Sequence, residues 1–260
     1  MASTQKPTFV FIPGAWHRVE TWDKVIALTG EKGYKNIAIT LPSTRGDPSA
    51  TFGDDVKEVQ RVISDETCQG RNVVLAAHSY GGFVGNSAVK GFARSPEEPA
   101  NGKGHVIGLA LMASGFTVTG MAFLEMVGGK PPPSWVMNEE TGFADIVADA
   151  KDMMYHDLPE DEDDLWVSKL TKHSLLSLTS GGEYAYAGWK DVPSFYLVTL
   201  DDHTHPEAVQ EFIVNYAQKE NADVTKRTIM TSHSPMLSKP QETANFLIEA
   251  AESFVRKSDA

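Results

Sequence analysis

A serine between a strand pattern and a helix pattern is the residue of this chain best placed to do chemistry. The apolar run Val73–Ala77 leads through Ser79 and Gly81 into a helical segment. A sharp turn of this kind strains the serine backbone and lifts its hydroxyl above the end of a sheet, where it can attack a carbonyl. Such a turn needs small residues two positions before and after the serine, and Ala77 and Gly81 meet that need. The segment therefore predicts that Ser79 is a nucleophile.

The glycines of the same segment follow a strand and open a helix, as the glycines of a dinucleotide-binding fingerprint do. That fingerprint requires glycines at relative positions one, three and six, and an acidic residue after the next strand. If Gly85 stands at position six, position one is Tyr80. The next predicted strand, Val106–Ala113, is followed by Ser114 rather than by an acid. The pattern therefore favours the nucleophile over the nucleotide site.

A serine hydroxyl needs a base, and the base needs an acid to orient it. In folds with this turn, the acid and then the histidine follow the serine along the chain, each after a late strand. The predicted strand Ser194–Leu200 runs into Asp201 and Asp202, and Thr225–Met230 leads to His233. We expect His233 to be the base, and chain order alone leaves both aspartates as candidates for the acid.

The other histidines considered for this role suit it less well. We expect His78, within the turn, to point back into the structure. His203 and His205 follow the acid in the same loop and are expected to be structural or rim residues. The others lie at a strand start or in the middle segment of the chain: His105, His156 and His173.

Ester chemistry also needs donors for the oxyanion that forms during attack. The backbone N–H of Tyr80, at the start of the helix, is one candidate. The loop after the first strand offers Ala15 N–H as the second, because Gly14 lets the backbone approach closely. The neighbouring Trp16 is expected either to line the pocket or to pack in the core.

Short apolar runs that alternate with helical patterns must position these residues. The predicted strands are Thr8–Ile12, Asn36–Thr40, Val73–Ala77, Val106–Ala113, Ser194–Leu200 and Thr225–Met230. The predicted helices are Trp22–Lys32, Phe52–Asp65, Gly82–Ala93, Glu207–Lys219 and a final helix with Ser238 as its cap and Gln241 three residues on. The apolar stripe of that final helix comprises Phe246, Leu247, Ala250, Ala251 and Phe254. This alternation predicts an α/β fold with a mostly parallel sheet flanked by helices.

One segment breaks the alternation, from about Phe116 to Trp189. It has no strand pattern, so we predict a helical insertion that forms a cap, with a helical patch at Phe143–Tyr155. The predicted division is core at 1–115, cap at 116–190 and core again at 191–260. The acidic run Glu160–Asp164 lies in this insertion and is expected to begin a solvated helix, with a negative rim beside the pocket mouth as a further expectation.

Composition excludes several classes of protein. The 260 residues carry a formal net charge of −12, which disfavours nucleic acid as a partner. The single cysteine can form neither an internal disulfide nor a thiolate zinc site. No targeting signal and no stretch long enough to span a membrane is present, so a soluble, cytoplasmic protein without membrane contact is expected. Oligomeric state stays open, with a homodimer among the alternatives.

Four segments together resemble a known family. They are Phe9–Trp22, Ala77–Gly82, Asp202–Gln210 and Ser232–Gln241. The chain resembles the α/β-hydrolase superfamily, and within it the plant methylesterase and hydroxynitrile lyase group with its microbial relatives. The resemblance implies the α/β-hydrolase fold, a triad of Ser79, Asp202 and His233, and oxyanion donors at Ala15 and Tyr80.

The resemblance also distinguishes the two aspartates and the two chemistries of that group. The family's acid lies four residues before a proline, which matches Asp202 and Pro206 and makes Asp201 the second choice. Pro13 and Ser232 stand where many members carry His and Asp. Ser234 stands where the hydroxynitrile lyases carry a lysine that helps to handle cyanide, which argues against cyanohydrin cleavage.

The resulting hypothesis is a serine hydrolase that cleaves a small, largely apolar carboxylic ester or lactone without metal or cofactor. Two alternatives stay open: a cofactor-free lyase or C–C bond hydrolase that uses the same site, and a non-catalytic small-molecule sensor. The methionines expected to make the cap side of the pocket apolar are Met121, Met126, Met137, Met153 and Met154. The residues expected to bind substrate are Trp16, His17, Trp135, Met154, Tyr155 and Trp189.

Overall fold

The computed structural model describes residues 5–94 and 102–258, and they contain one large and one small sheet. The strands in chain order are β1 Thr8–Ile12, β2 Lys35–Ala38, β3 Val73–His78, β4 Val106–Met112, β5 Trp135–Asn138, β6 Phe143–Ile146, β7 His173–Ser174, β8 Ser194–Thr199 and β9 Val224–Ile229. The large sheet has six of these strands in the order β2-β1-β3-β4-β8-β9, and every neighbouring pair is parallel.

Helices connect the parallel strands, as a parallel sheet requires. In chain order they are α1 Asp23–Glu31, α2 Phe52–Thr67, α3 Tyr80–Ala88, α4 Phe123–Met126, α5 Ala150–Met154, α6 Glu160–Ser168, α7 Leu175–Thr179, α8 Glu207–Lys219, α9 Pro235–Ser238 and α10 Pro240–Ser258. All six predicted strands of the large sheet are present within two residues of the predicted bounds. The predicted helix Gly82–Ala93 instead runs from Tyr80 to Ala88, because it starts directly at the turn and ends earlier.

Apolar side chains cover both faces of the large sheet and form two cores. In β3, Leu75 and Ala77 pack with α2, α3 and α8, whereas Val74 and Ala76 pack with α1 and α10. Because successive side chains of a strand point to opposite faces, a strand buried on both faces is apolar throughout. This arrangement explains the unbroken apolar run that precedes Ser79.

The chain leaves the large sheet at Met112 and returns to it at Ser194. The predicted insertion at 116–190 falls between these strands, but the expectation of a purely helical segment is wrong. Strands β5, β6 and β7 form a small antiparallel sheet beside α4 to α7, and the patch predicted as a helix at Phe143–Tyr155 contains both β6 and α5. These strands have only two to four residues, too few to show a period of two in the sequence. The division into domains stays a prediction.

The start of the final helix also differs from the sequence prediction. Ser238 is the last residue of α9, and its hydroxyl bonds to the hydroxyl of Thr231 and to the carbonyl of Ser234 rather than to the first turn of α10. The predicted cap is therefore wrong. The predicted stripe, from Phe246 to Phe254, is buried against the sheet.

Among the described residues, no helix is both long enough and apolar enough to cross a membrane. The cytoplasmic location stays a prediction.

Candidate active site

Ser79 lies in a sharp turn between β3 and α3, with φ 51° and ψ −126°. A residue with a side chain adopts this backbone conformation only where the surroundings enforce it. The close approach of the first loop requires glycine at position 81, since a Cβ there would lie 2.4 Å from the carbonyl oxygen of Pro13. The strand–turn–helix geometry predicted from the sequence is therefore present.

His233 and Asp202 form a buried pair at the same end of the sheet. The Nδ1 atom of His233 lies 2.8 Å from Oδ2 of Asp202, and both side chains are almost fully removed from solvent. The Asp202 carboxylate also accepts hydrogen bonds from the Thr199 hydroxyl and from the N–H groups of Thr204 and His205. Burial works to raise the pKa of Asp202, but the charge of His233 and these donors outweigh it, so the pKa is lowered. The acid is held as a carboxylate, which leaves Nε2 of His233 as the atom that can accept a proton.

The structure separates the two aspartates that chain order could not distinguish. The Asp201 side chain is 56% exposed and lies near His156 and His203, away from His233. Asp202 is the carboxylate that reaches the predicted base.

His78 points back into the protein, as expected, and contacts both the backbone and the ring of His233. Its Nε2 atom lies 2.8 Å from the backbone carbonyl of His233, and its ring centre lies 4.7 Å from the His233 ring. Burial lowers the pKa of His78 well below its ordinary value, and the nearby His233 and His17 act in the same direction. A neutral His78 therefore donates to this carbonyl and fixes the backbone that carries His233.

The loop of Gly14 and Ala15 packs directly against the turn that carries Ser79. A Cβ at Gly14 would lie 2.9 Å from the His78 ring and 3.1 Å from the Cβ of Ser79, so only glycine fits there. Within the described part of the chain, neither Ala15 N–H nor Tyr80 N–H takes part in a hydrogen bond. Both of the predicted oxyanion donors line the cavity above Ser79.

Contacts from the insertion hold the loop that carries Ala15. His17 Nδ1 lies 2.6 Å from the Ala15 carbonyl, and His17 Nε2 lies 2.6 Å from the Tyr155 hydroxyl. Because a carbonyl only accepts, Nδ1 carries the proton and Nε2 accepts from Tyr155. Burial lowers the pKa of His17 to about 4, which agrees with this neutral form.

Trp16, the next residue to Ala15, is held in the same way. It adopts a positive φ of 62°. Its N–H lies 3.4 Å from Nδ1 of His173, its indole N–H donates to the Ala144 carbonyl, and its own carbonyl accepts from Thr171. Burial lowers the pKa of His173 to about 3, so this histidine is neutral and can accept. The strained loop therefore depends on the insertion for its shape.

A cavity of about 870 Å³ opens above Ser79 and His233. Its lining is mainly apolar and includes four of the residues predicted to bind substrate: Trp16, His17, Trp135 and Met154. A volume of this size suits a small organic molecule. A serine at positive φ, a histidine–aspartate pair and two available N–H groups thus meet at one apolar cavity.

Comparison with known proteins agrees with this geometry. Residues 9–246 match the Alpha/beta hydrolase family. The chain belongs to the alpha/beta hydrolase family. The predicted family and fold are confirmed by this match, and so is the prediction of a hydrolytic enzyme.

Several members of the alpha/beta hydrolase family resemble this chain over nearly its whole length. The "Alpha/beta hydrolase nvfD" of Aspergillus novofumigatus is 27% identical over 249 residues, 95% of this chain and 97% of that protein. Methylesterase 2 of Arabidopsis thaliana is 25% identical and spans 96% of this chain and 98% of its own. Tomato methylketone synthase I, solved with 2-tridecanone, has the same fold with a TM-score of 0.75 at 18% identity, and covers 96% of this chain and 99% of its own. The family and its methylesterase members support ester hydrolysis as the general class of reaction.

The structure corrects three of the residues expected at the alpha/beta hydrolase pocket. Tyr155 does not line the cavity, because it lies behind His17 and is fully buried. Trp189 does not line it either, since its indole donates to the Thr117 carbonyl and packs in the core. Met137 lies on β5 and is 41% exposed, outside the cavity.

The acidic run does begin a solvated helix, α6, but it does not form a rim to the cavity. Glu162 pairs with Lys24, and Asp163 and Asp164 pair with Lys151. None of the described residues that line the cavity is an aspartate or glutamate. The expected negative rim is therefore wrong, and three of the five carboxylates of the run form ion pairs at the surface.

Sequence reasoning missed one complete wall of the cavity. Residues Val209, Phe212, Ile213 and Tyr216 of α8 line it at helical spacing. Their i, i+3, i+4, i+7 pattern is visible in the sequence, but it is typical of a core-facing stripe as well. Three of them stay 42% to 70% exposed, and only the structure shows this exposure.

Among the described residues, one group has the composition of a metal site: His156, Asp201 and His203. None of the three lines the cavity.

Proposed function

We propose that this protein is a serine hydrolase that cleaves a small, largely apolar carboxylic ester or lactone through an acyl-enzyme on Ser79. The observation that carries the proposal is that Ser79, at φ 51°, and His233, which is paired with Asp202, line one apolar cavity. A nucleophile, a base and an acid that orients the base are the groups that acyl transfer requires.

Each step uses a named atom of this chain. Oγ of Ser79 attacks the ester carbonyl carbon while Nε2 of His233 takes the hydroxyl proton. The tetrahedral intermediate collapses, the C–O bond to the leaving alkoxide breaks, and His233 returns the proton to that alkoxide. A water molecule, deprotonated by His233, then attacks the acyl carbonyl carbon. The bond from that carbon to Oγ of Ser79 breaks, His233 returns the proton to Oγ, and the carboxylic acid product leaves. The carboxylate of Asp202 stabilises the charged imidazole in both halves.

The backbone N–H groups of Ala15 and Tyr80 are proposed as the oxyanion donors. Both line the cavity and neither is used elsewhere in the described chain. A donor that meets the oxyanion in a site shielded from water contributes on the order of 3 kcal/mol to transition-state stability.

The cavity supports an uncharged substrate with an apolar acyl or alcohol part. Phe83, Phe123 and Leu178 are among the apolar side chains that line it, and Lys130 is the lone lysine or arginine among the described residues of the lining. An anionic group in the depth of such a cavity would lose its hydration without an ion pair in return. A methyl ester or a lactone suits this environment, and both use the same catalytic atoms.

We also propose that the insertion at 116–190 acts as the cap of the site. Residues from Phe116 to Leu178 supply one side of the cavity, and Tyr155 and His173 hold the oxyanion loop from the same side. Changes in this segment are therefore expected to alter substrate choice.

An active-site probe with pre-steady-state kinetics tests the proposal. A fluorophosphonate should label the wild type at Ser79, and p-nitrophenyl acetate should give a burst of one equivalent of p-nitrophenol. Ser79→Ala and His233→Ala should each lose turnover by at least roughly 10³-fold while keeping the native fold, measured by circular dichroism. Labelling of Ser79 without any burst would favour the lyase, and wild-type turnover in Ser79→Ala would exclude the serine mechanism. A non-catalytic sensor would give neither burst nor turnover in the wild type.

A further inference from the structure

Two histidines and an aspartate lie together at the surface beside the active site. His156 follows α5 in the insertion, and Asp201 and His203 lie in the loop after β8. One ligand atom from each lies within 4.8 Å of the others. This loop also carries Asp202, which contacts His233.

Hydrogen bonds fix the orientation of both rings. Nδ1 of His156 lies 3.0 Å from the backbone carbonyl of Asp152, and Nδ1 of His203 lies 3.1 Å from the same carbonyl. A carbonyl oxygen can only accept, so each neutral ring carries its proton on Nδ1. The Nε2 atoms are therefore the ones with lone pairs. A carbonyl that holds the far nitrogen of a histidine is the usual support of a metal ligand.

Both Nε2 atoms lie near one carboxylate. Nε2 of His156 lies 3.2 Å from Oδ2 of Asp201, and Nε2 of His203 lies 3.8 Å from Oδ1. Two lone pairs and a carboxylate repel one another unless a proton or a metal ion lies between them. In a tetrahedral zinc site with bonds of about 2.0–2.2 Å, neighbouring ligand atoms are roughly 3.3 Å apart. The two distances are near this value, and the ring centres lie 4.0 Å apart.

The surrounding charge favours a cation. The Asp152 carboxylate lies 3.1 Å from Nδ1 of His203, and Asp157, beside His156, has a buried carboxylate oxygen without a hydrogen-bond partner. Among the described residues, no lysine or arginine forms an ion pair with Asp152, Asp157 or Asp201. No described lysine or arginine thus compensates the negative charge of these three carboxylates.

We propose that His156, Asp201 and His203 bind one divalent transition-metal ion of the zinc type. Two imidazoles and a carboxylate suit zinc, nickel or copper and are a poor set for magnesium or calcium. The partial exposure of His203 and Asp201 leaves the fourth position to solvent. The bound ion would fasten the insertion to the loop of Asp202, a role distinct from ester hydrolysis and independent of the proposed mechanism.

Calorimetric titration of tag-free, EDTA-treated protein with ZnCl₂ tests the proposal. The expected result is one zinc ion per chain at micromolar affinity, a rise in melting temperature with zinc, and no comparable response to MgCl₂. Asp201→Asn and His203→Gln should each weaken zinc binding at least roughly tenfold and remove the rise in melting temperature.

The matched control is His105→Gln, since His105 precedes β4 and lies at the opposite end of the parallel sheet. It should bind zinc as the wild type does. Unchanged affinity in Asp201→Asn and His203→Gln, or an equal loss in His105→Gln, would overturn the proposal, and so would a wild type that binds no zinc at millimolar concentration. Melting temperatures of the metal-free variants equal to that of the wild type would show that they fold.

Discussion

The Tyr155 hydroxyl lies 2.6 Å from Nε2 of His17, and Nδ1 of the same ring lies 2.6 Å from the Ala15 carbonyl. A side chain from the insertion is therefore connected through one neutral imidazole to the residue proposed as an oxyanion donor. This connection makes the shape of the oxyanion loop depend on the insertion, which also packs against the nucleophile turn where the His173 ring meets the Tyr80 ring.

Tyr155→Phe tests that connection. The change removes the hydroxyl, leaves Nε2 of His17 buried without a donor, and keeps the ring that fills the core. We expect kcat on p-nitrophenyl acetate to fall roughly tenfold with little change in KM, a fraction of the loss seen when a whole oxyanion donor is removed.

The matched control for this change is Tyr186→Phe. This change also removes one hydrogen bond of a tyrosine hydroxyl, here the bond to Asp191, but Tyr186 lies outside the cavity. Its kinetics should equal those of the wild type. Equal kcat in Tyr155→Phe and the wild type would mean that His17 holds its position without the tyrosine.

The two neighbouring aspartates provide a second test. Asp202 is buried against His233, whereas Asp201 is exposed. Asp202→Asn should lower kcat by about 10³- to 10⁴-fold, because an amide no longer stabilises the charged imidazole. Asp201→Asn, measured in EDTA, should hydrolyse the same ester at the wild-type rate. If only the change at Asp201 is damaging, the acid has been assigned to the wrong residue.

Gly81→Ala tests the packing of the nucleophile turn. An added Cβ would lie 2.4 Å from the Pro13 carbonyl and 2.6 Å from that of Ile12, and backbone atoms cannot move aside cheaply. We expect the melting temperature to fall by several degrees and ester turnover to be lost.

Gly30→Ala in α1 serves as its control, since the nearest atom to its added Cβ, the amide nitrogen of Asn36, lies 3.6 Å away. This substitution should be neutral or slightly stabilising, because alanine favours a helix more than glycine does. A Gly81→Ala variant as stable and as active as Gly30→Ala would contradict the proposed role of this close contact.

A buried carboxylate far from the site should control stability at low pH. Glu66 of α2 accepts hydrogen bonds from Arg71, Lys35 and Thr8. The Arg71 guanidinium is the main cause that lowers the pKa of Glu66 to about 2, and Lys35 and Thr8 add to it against the effect of burial. A folded pKa below the unfolded value means that the stabilisation is complete above about pH 4.5 and is lost as the pH falls towards 2.

Glu66→Gln should therefore lower the free energy of unfolding by about 1–3 kcal/mol at pH 7, and the difference from the wild type should shrink below pH 4.5. Urea unfolding between pH 3 and pH 7 measures both effects. Glu58→Gln, on a solvent-facing pair with Arg61, should cost no more than roughly 0.5 kcal/mol. A constant difference across the pH range would show that the charge of Glu66 is not its cause.

Local sequence was sufficient to predict the six parallel strands and the turn around Ser79. The reason is that a strand covered on both faces must be apolar throughout, and a strained turn admits only small neighbours such as Gly81. His233 could be predicted for a related reason, since it follows the last strand of the sheet, and parallel strands bring their carboxyl ends to one edge.

Only the tertiary structure shows which contacts the large aromatic and the acidic side chains of the insertion make. Trp189 and Tyr155 resemble pocket residues in the sequence, yet each is held elsewhere by one hydrogen bond, to the Thr117 carbonyl and to His17. The acidic run suggests a negative rim beside the cavity, yet Lys24 and Lys151 form ion pairs with it at the surface. Such contacts join residues far apart in the chain, and no local pattern encodes them.

The sequence by itself determined the family, the fold and the candidates for nucleophile and base, because these depend on patterns within short stretches of the chain. Only the folded chain shows the contact of Asp202 with His233, which the family resemblance had favoured over Asp201, and the contact of the insertion with the loop of Ala15. Burial and distance between remote segments decide those pairings, and both exist only once the chain has packed.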